Sequence, residues 1–172
     1  AKGDAHSVLD TISKLYISGE DKNISGTLSF PEIILDGAVL NLSNTTTING
    51  NVKISSGTTF QNAFGDTEFL TINGNVINNG TIRKNSDTDY QSIVISIAGN
   101  IENNGEWSPI ETRLLSNVEI MNSTTIGGDL ACGQNALIVN APSKVTLTGL
   151  RSGISIYNGT GEITLANNVN GT

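Results

Sequence analysis

An all-β, single-stranded parallel β-helix (a β-solenoid) is predicted for this chain by three observations. A five-residue motif recurs along it, apolar residues alternate within each copy, and turn formers separate the copies. The copies are Ile24-Ser25-Gly26-Thr27-Leu28, Ile48-Asn49-Gly50-Asn51-Val52, Ile72-Asn73-Gly74-Asn75-Val76, Ile97-Ala98-Gly99-Asn100-Ile101 and Ile126-Gly127-Gly128-Asp129-Leu130. Their central glycines step by 24, 24, 25 and 29 residues. A fixed period in this range marks a repeat architecture. Alternation such as Ile93, Ile95, Ile97 is strand periodicity. Asn-Gly and Ser-Gly pairs supply turns. Two or three short strands with their turns use up one coil of ~24 residues, whereas a propeller blade needs ~40–45. About six coils are expected.

The elements follow in order. Residues 1–23 read as a cap or a first irregular coil. Within them Val8, Leu9, Ile12, Leu15 and Tyr16 fall at helical spacing, which predicts a short capping helix over 7–16; Tyr16-Ile17-Ser18 reads equally as an irregular first strand. Residues 24–140 form the regular coils. Like residues then stack ~4.8 Å apart along the axis. Ile24, Ile48, Ile72, Ile97 and Ile126 are expected in one interior column, and Leu28, Val52, Val76, Ile101 and Leu130 in another. Phe60, Ile82 and Trp107, with Leu137, make a third. Asn51, Asn75 and Asn100 mark one corner, flanked by Thr27 and Asp129, where stacked amides satisfy one another. Residues 141–172 form an irregular C-terminal part. It closes on a polar stretch, 167–172, that offers unpaired edge groups to another chain.

Composition narrows the class further. Asn, Ile, Gly, Thr and Ser make up 98 of 172 residues, which disfavours a helical bundle. Ile, Leu, Val and Phe number 48, too many for a disordered chain. The net charge of −7 argues against nucleic acid and anionic membranes as partners. No apolar run reaches the ~20 residues of a membrane helix. The sequence starts at Ala1, which reads as a processed secreted protein or a piece of a longer one. Cys132, the single cysteine, is expected buried and inert.

The phrases Gly74-Asn75-Val76-Ile77-Asn78-Asn79-Gly80-Thr81-Ile82 and Gly99-Asn100-Ile101-Glu102-Asn103-Asn104-Gly105 resemble the coils of secreted bacterial adhesins, namely autotransporter passengers and filamentous-haemagglutinin-like exoproteins. The resemblance covers about residues 24–139. It implies a right-handed parallel β-helix with an extracellular or cell-surface structural role.

Few residues invite chemistry. His6 is the one histidine, so a Ser-His-Asp triad or a histidine metal site has little to draw on. Asp87 and Asp89 are the weak calcium candidate, in a loop rich in Lys, Asn and Ser. No catalytic residue and no cofactor are expected. Seven Asn-x-Ser/Thr sequons, at Asn23, Asn41, Asn44, Asn79, Asn122, Asn158 and Asn170, are candidate glycosylation acceptors. Thr45-Thr46-Thr47, Thr58-Thr59 and Thr124-Thr125 hint at an ice-binding face, but they do not recur in every coil. Trp107 is read as core and Tyr90 as the better surface aromatic for sugars. The reading is a structural solenoid that polymerises head to tail or serves as an adhesin stalk. The alternative is a carbohydrate-binding or polysaccharide-degrading β-helix, which requires clustered carboxylates and exposed aromatics on one face.

Overall fold

A computed structural model of the chain describes residues 13–63, 67–85, 92–151 and 157–166. Among them there are seventeen strands and no helix, and every strand pairing is parallel. The strands stack into a β-solenoid of about seven turns, one more than the repeat count suggests. At the usual strand spacing that is about 34 Å of axis. The N-terminal ambiguity resolves in part: Lys14–Ser18 is a strand paired with residues 32–36, and residues 1–12 lie outside the described set.

Each coil visits three faces in turn. One, the Ile101 face, contains Lys14–Ser18, Val76–Asn78, Ile101–Asn103, Val118–Ile120 and Leu137–Val139. Next comes the Trp107 face, with Thr59–Asn62, Thr81–Arg83, Glu106–Ser108 and Glu162–Leu165. Then comes the Glu111 face, with Glu68–Ile72, Ile93–Ile97 and Glu111–Leu114. The long strands Lys22–Asp36, Val39–Ile54 and Thr124–Ala131 turn corners within one strand, through register shifts at Ile24/Gly26, Ser29/Glu32 and Ile126/Asp129.

The core is a set of register columns. On the Ile101 face, Leu15, Ile33, Val52, Val76, Ile101, Ile120 and Val139 stand directly over one another. Leu40, Phe60, Ile82 and Trp107 form the Trp107 column. Leu28, Ile48, Ile72, Ile97 and Leu114 run up the Glu111 face. Steps along the first column are 18, 19, 24, 25, 19 and 19 residues. The coils are therefore unequal, long in the middle and short at both ends.

This inequality corrects the expected columns. Ile48, Ile72 and Ile97 do stack, as do Val52, Val76 and Ile101. Ile24 instead pairs with Leu42, and Ile126 with Leu147, both on the Trp107 face. Leu28 belongs beneath Ile48, Leu130 over Thr112, and Leu137 over Val118. The physical reason is that one motif serves two corners. In the middle coils Ile-x-Gly-x-Val/Ile bends the chain from the Glu111 face to the Ile101 face. Around Gly26 and Gly128, at φ of 81° and 72°, it bends the chain from the Trp107 face to the Glu111 face. A short apolar-turn-apolar run fits either bend, so spacing alone assigns it wrongly. Gly50, Gly74 and Gly99 do form a contiguous stack: a Cβ on Gly74 would run into the Gly50 carbonyl, and one on Gly99 into the Gly74 carbonyl.

Asparagine ladders bind the corners. The Asn51 Oδ1 accepts from the Asn75 backbone N–H at 2.9 Å, the Asn75 Oδ1 from that of Asn100 at 2.8 Å, and the Asn100 Oδ1 from that of Glu119 at 3.0 Å. The contact is amide to backbone, where amide to amide was expected, because the Asn side chain reaches the next coil's orphan N–H. Thr27 and Asp129 are on the Glu111 face, away from this ladder. Amide-to-amide ladders occur elsewhere, from Asn73 to Asn49 at 2.9 Å and from Asn104 to Asn79 at 3.0 Å. A buried pair continues the apolar column of Leu35 and Ile54: the Asn78 Nδ2 donates to the Asn103 Oδ1 at 2.7 Å. Buried amides must be satisfied, and these are. Asn78 also donates to the Glu106 carbonyl and accepts from the Gly80 N–H.

Candidate functional site

Alternation on the Glu111 face puts Leu70, Ile95, Thr112 and Leu130 inside. Their neighbours Phe69, Val94, Glu111 and Asp129 form one outward column in successive coils. An outward carboxylate on a solenoid is ordinarily solvated, yet Glu111 is only 5% exposed. Two arginines cover it. The Arg113 Nε sits 2.6 Å from its Oε1, and the Arg151 Nη1 2.6 Å from its Oε2. Both oxygens are thus committed, and a charge-assisted pair of this kind fixes the orientation of both guanidiniums. Arg113 also lies over the Phe69 ring, 5.9 Å from its centroid. A groove of about 320 Å³ opens among Phe69, Arg113, Arg151 and Asp129. Ile110, 51% exposed, also lines a second groove of about 470 Å³ beside Arg83, Lys84 and Glu106.

Of the groove residues spacing marks Asp129 alone, and as a corner residue; Phe69, Ile110, Glu111, Arg113 and Arg151 carry no repeat signal. Phe69 and Arg151 are 82 positions apart and meet only because coils of 18 to 25 residues happen to bring them to one face. A usable signal existed: two of the three arginines and an aromatic fall at outward positions once the true register is known.

The residues that were singled out are distributed differently. Asp87, Asp89, Tyr90, His6 and Asn170 lie outside the described residues, and Asn158 and Tyr157 are described by backbone only. Among the described residues no group of three His, Cys, Asp or Glu could hold a metal ion. Asn23 and Asn44 are exposed, and Asn44 sits in the left-handed region at φ 60°. Asn41, Asn79 and Asn122 are partly buried and hold ladder partners. Trp107 is core, 2% exposed, and its indole N–H donates to the Thr112 hydroxyl at 3.0 Å. Thr46 and Thr58 are buried, so two of the clustered threonines face the interior. Cys132 is fully buried, and burial pushes its thiol up from 9.0 to about 11. A thiol held in that state is a poor nucleophile at neutral pH.

Compared with protein-family models, with curated proteins and with solved structures, the chain matches none of them. No described helix is long and apolar enough to cross a membrane. The fold and the geometry of the grooves are therefore the basis for reading function.

Proposed function

We propose that this chain is an extracellular structural β-solenoid that assembles head to tail, as a fibre subunit or a cell-surface adhesin stalk, with no catalytic step of its own. The observation that carries the reading is the pair of open strand edges. Lys14–Ser18 pairs on one side only, as does Glu162–Leu165, among the described residues. Tyr16 is 61% and Leu165 45% exposed at these edges. An edge of unpaired N–H and C=O groups is a template for another strand. A contact between unlike ends does not close and continues into a filament. The adhesin-like coil phrases and the Asn-, Thr- and Ser-rich composition support a place outside the cell.

Negative-stain electron microscopy across a concentration series tests this. Filaments with an axial repeat of about seven strand spacings, near 34 Å, are expected. Replacing Leu165 with Lys should shorten or abolish them. Short isolated rods at every concentration would overturn assembly.

A further inference from the structure

The ridge residue Ile110 joins two grooves into one track across the corner between the Trp107 and Glu111 faces. Four of the nine Lys and Arg residues line it: Arg83 and Lys84 on one side, Arg113 and Arg151 on the other. Among the described residues three carboxylates accompany them, so these groups carry one net positive charge on a molecule of net charge −7. The carboxylates are largely occupied. Glu111 is spent on the arginines, and the Glu106 Oε1 accepts from the Ser108 hydroxyl at 2.6 Å. The cations are less so. A guanidinium has five donors, and Arg113 and Arg151 each engage Glu111 through one nitrogen while remaining 41% and 59% exposed. Arg83 and Lys84 are exposed and form no ion pair among the described residues. Phe69, 41% exposed, adds an apolar platform.

We infer that this track binds an acidic oligosaccharide, a chain of carboxylate-bearing pyranose rings laid across Ile110. Each feature matches a part of such a ligand. The outer edges of Arg113 and Arg151, held in place by buried Glu111, suit a planar carboxylate. Phe69 and Ile110 suit the apolar face of a sugar ring. Asp129 and the Thr67 hydroxyl, itself beside the buried Ser92 hydroxyl at 3.4 Å, offer acceptors and a donor for ring hydroxyls. The cations are split by the ridge, which favours an elongated ligand with repeated anionic groups over a single small anion. One net positive charge is too little to hold a polyphosphate backbone, whose binding draws on many phosphate contacts. The inference does not depend on filament assembly.

Isothermal titration of the full chain with a hexamannuronate is the test, with maltohexaose and hexaglutamate as comparison ligands. Binding of the uronate alone is expected, weakening as salt rises from about 0.1 to about 1 M. The double variant Arg83→Gln/Lys84→Gln and the single variant Phe69→Ala should each weaken it roughly tenfold, one lost interaction of about 1.4 kcal/mol. These positions are exposed, so an unchanged melting temperature shows that the fold is intact. Arg151→Gln should weaken binding as well, with melting read alongside because it also releases Glu111. The inference fails if the uronate does not bind or if either comparison ligand binds equally well. It fails equally if the Arg83/Lys84 and Phe69 variants bind like the parent chain.

Discussion

Glu111 shows what a single side chain contributes here. Its carboxylate is enclosed, but its partners are half exposed, so solvent screens part of the attraction. Glu111→Gln should therefore cost about 1–2 kcal/mol of stability rather than the larger sum for a fully buried triad. Urea denaturation reads this directly, and an unchanged midpoint would mean that the arginines need no anchor. Cys132 gives a pH prediction with a definite sign. The folded thiol titrates near 11, above its ordinary 9.0. The unfolded chain therefore loses its proton first as pH rises. This contribution is constant below about pH 9, and stability falls between 9 and 11. Cys132→Ala should flatten that part of the stability profile. A profile of equal slope in both proteins would show that the thiol does not titrate there. Trp107 was legible as a core residue because it falls in the column of Phe60 and Ile82, and Cys132 because it follows Leu130 and Ala131 in an apolar stretch. The Glu111 cluster was not, because its members share no local pattern.

Corners and strands carry the next level of order. Alternation located the strands, and Asn-Gly pairs located the turns. The column assignments at Ile24 and Ile126 failed because five residues of motif do not say which of three corners they turn. That information lies in coil length, which local sequence does not contain. The glycine stack tests how tight the middle corner is. A Cβ at Gly74 meets the backbone of Gly50 and lies 2.9 Å from the Asn51 nitrogen, and backbone cannot rotate away as a side chain can. Gly74→Ala should destabilise by about 2–3 kcal/mol, comparable to overpacking a core. Gly57→Ala, with nothing within 4 Å but a φ of 82°, should cost less, about 1 kcal/mol. Equal losses at both positions, measured by thermal melting, would show that φ and not crowding dominates.

Taken whole, the molecule is a one-dimensional stack in which each coil meets only its neighbours, and cooperativity is passed along by interfaces. The repeat announced this architecture in the sequence. The number of turns and their lengths were less legible, since the shorter coils at both ends dropped residues at a corner and blurred the period. Those unequal coils also make a mechanical signature. Tension applied through the two ends would peel coils away one at a time, and each event would release the contour of one coil. A coil of 18 or 19 residues frees about 65 Å of chain and one of 24 or 25 about 85 Å, at roughly 3.5 Å per residue. Force spectroscopy should therefore record two classes of step, the short ones from the flanks and the long ones from the middle. The order in which they appear would reveal from which end the rod gives way.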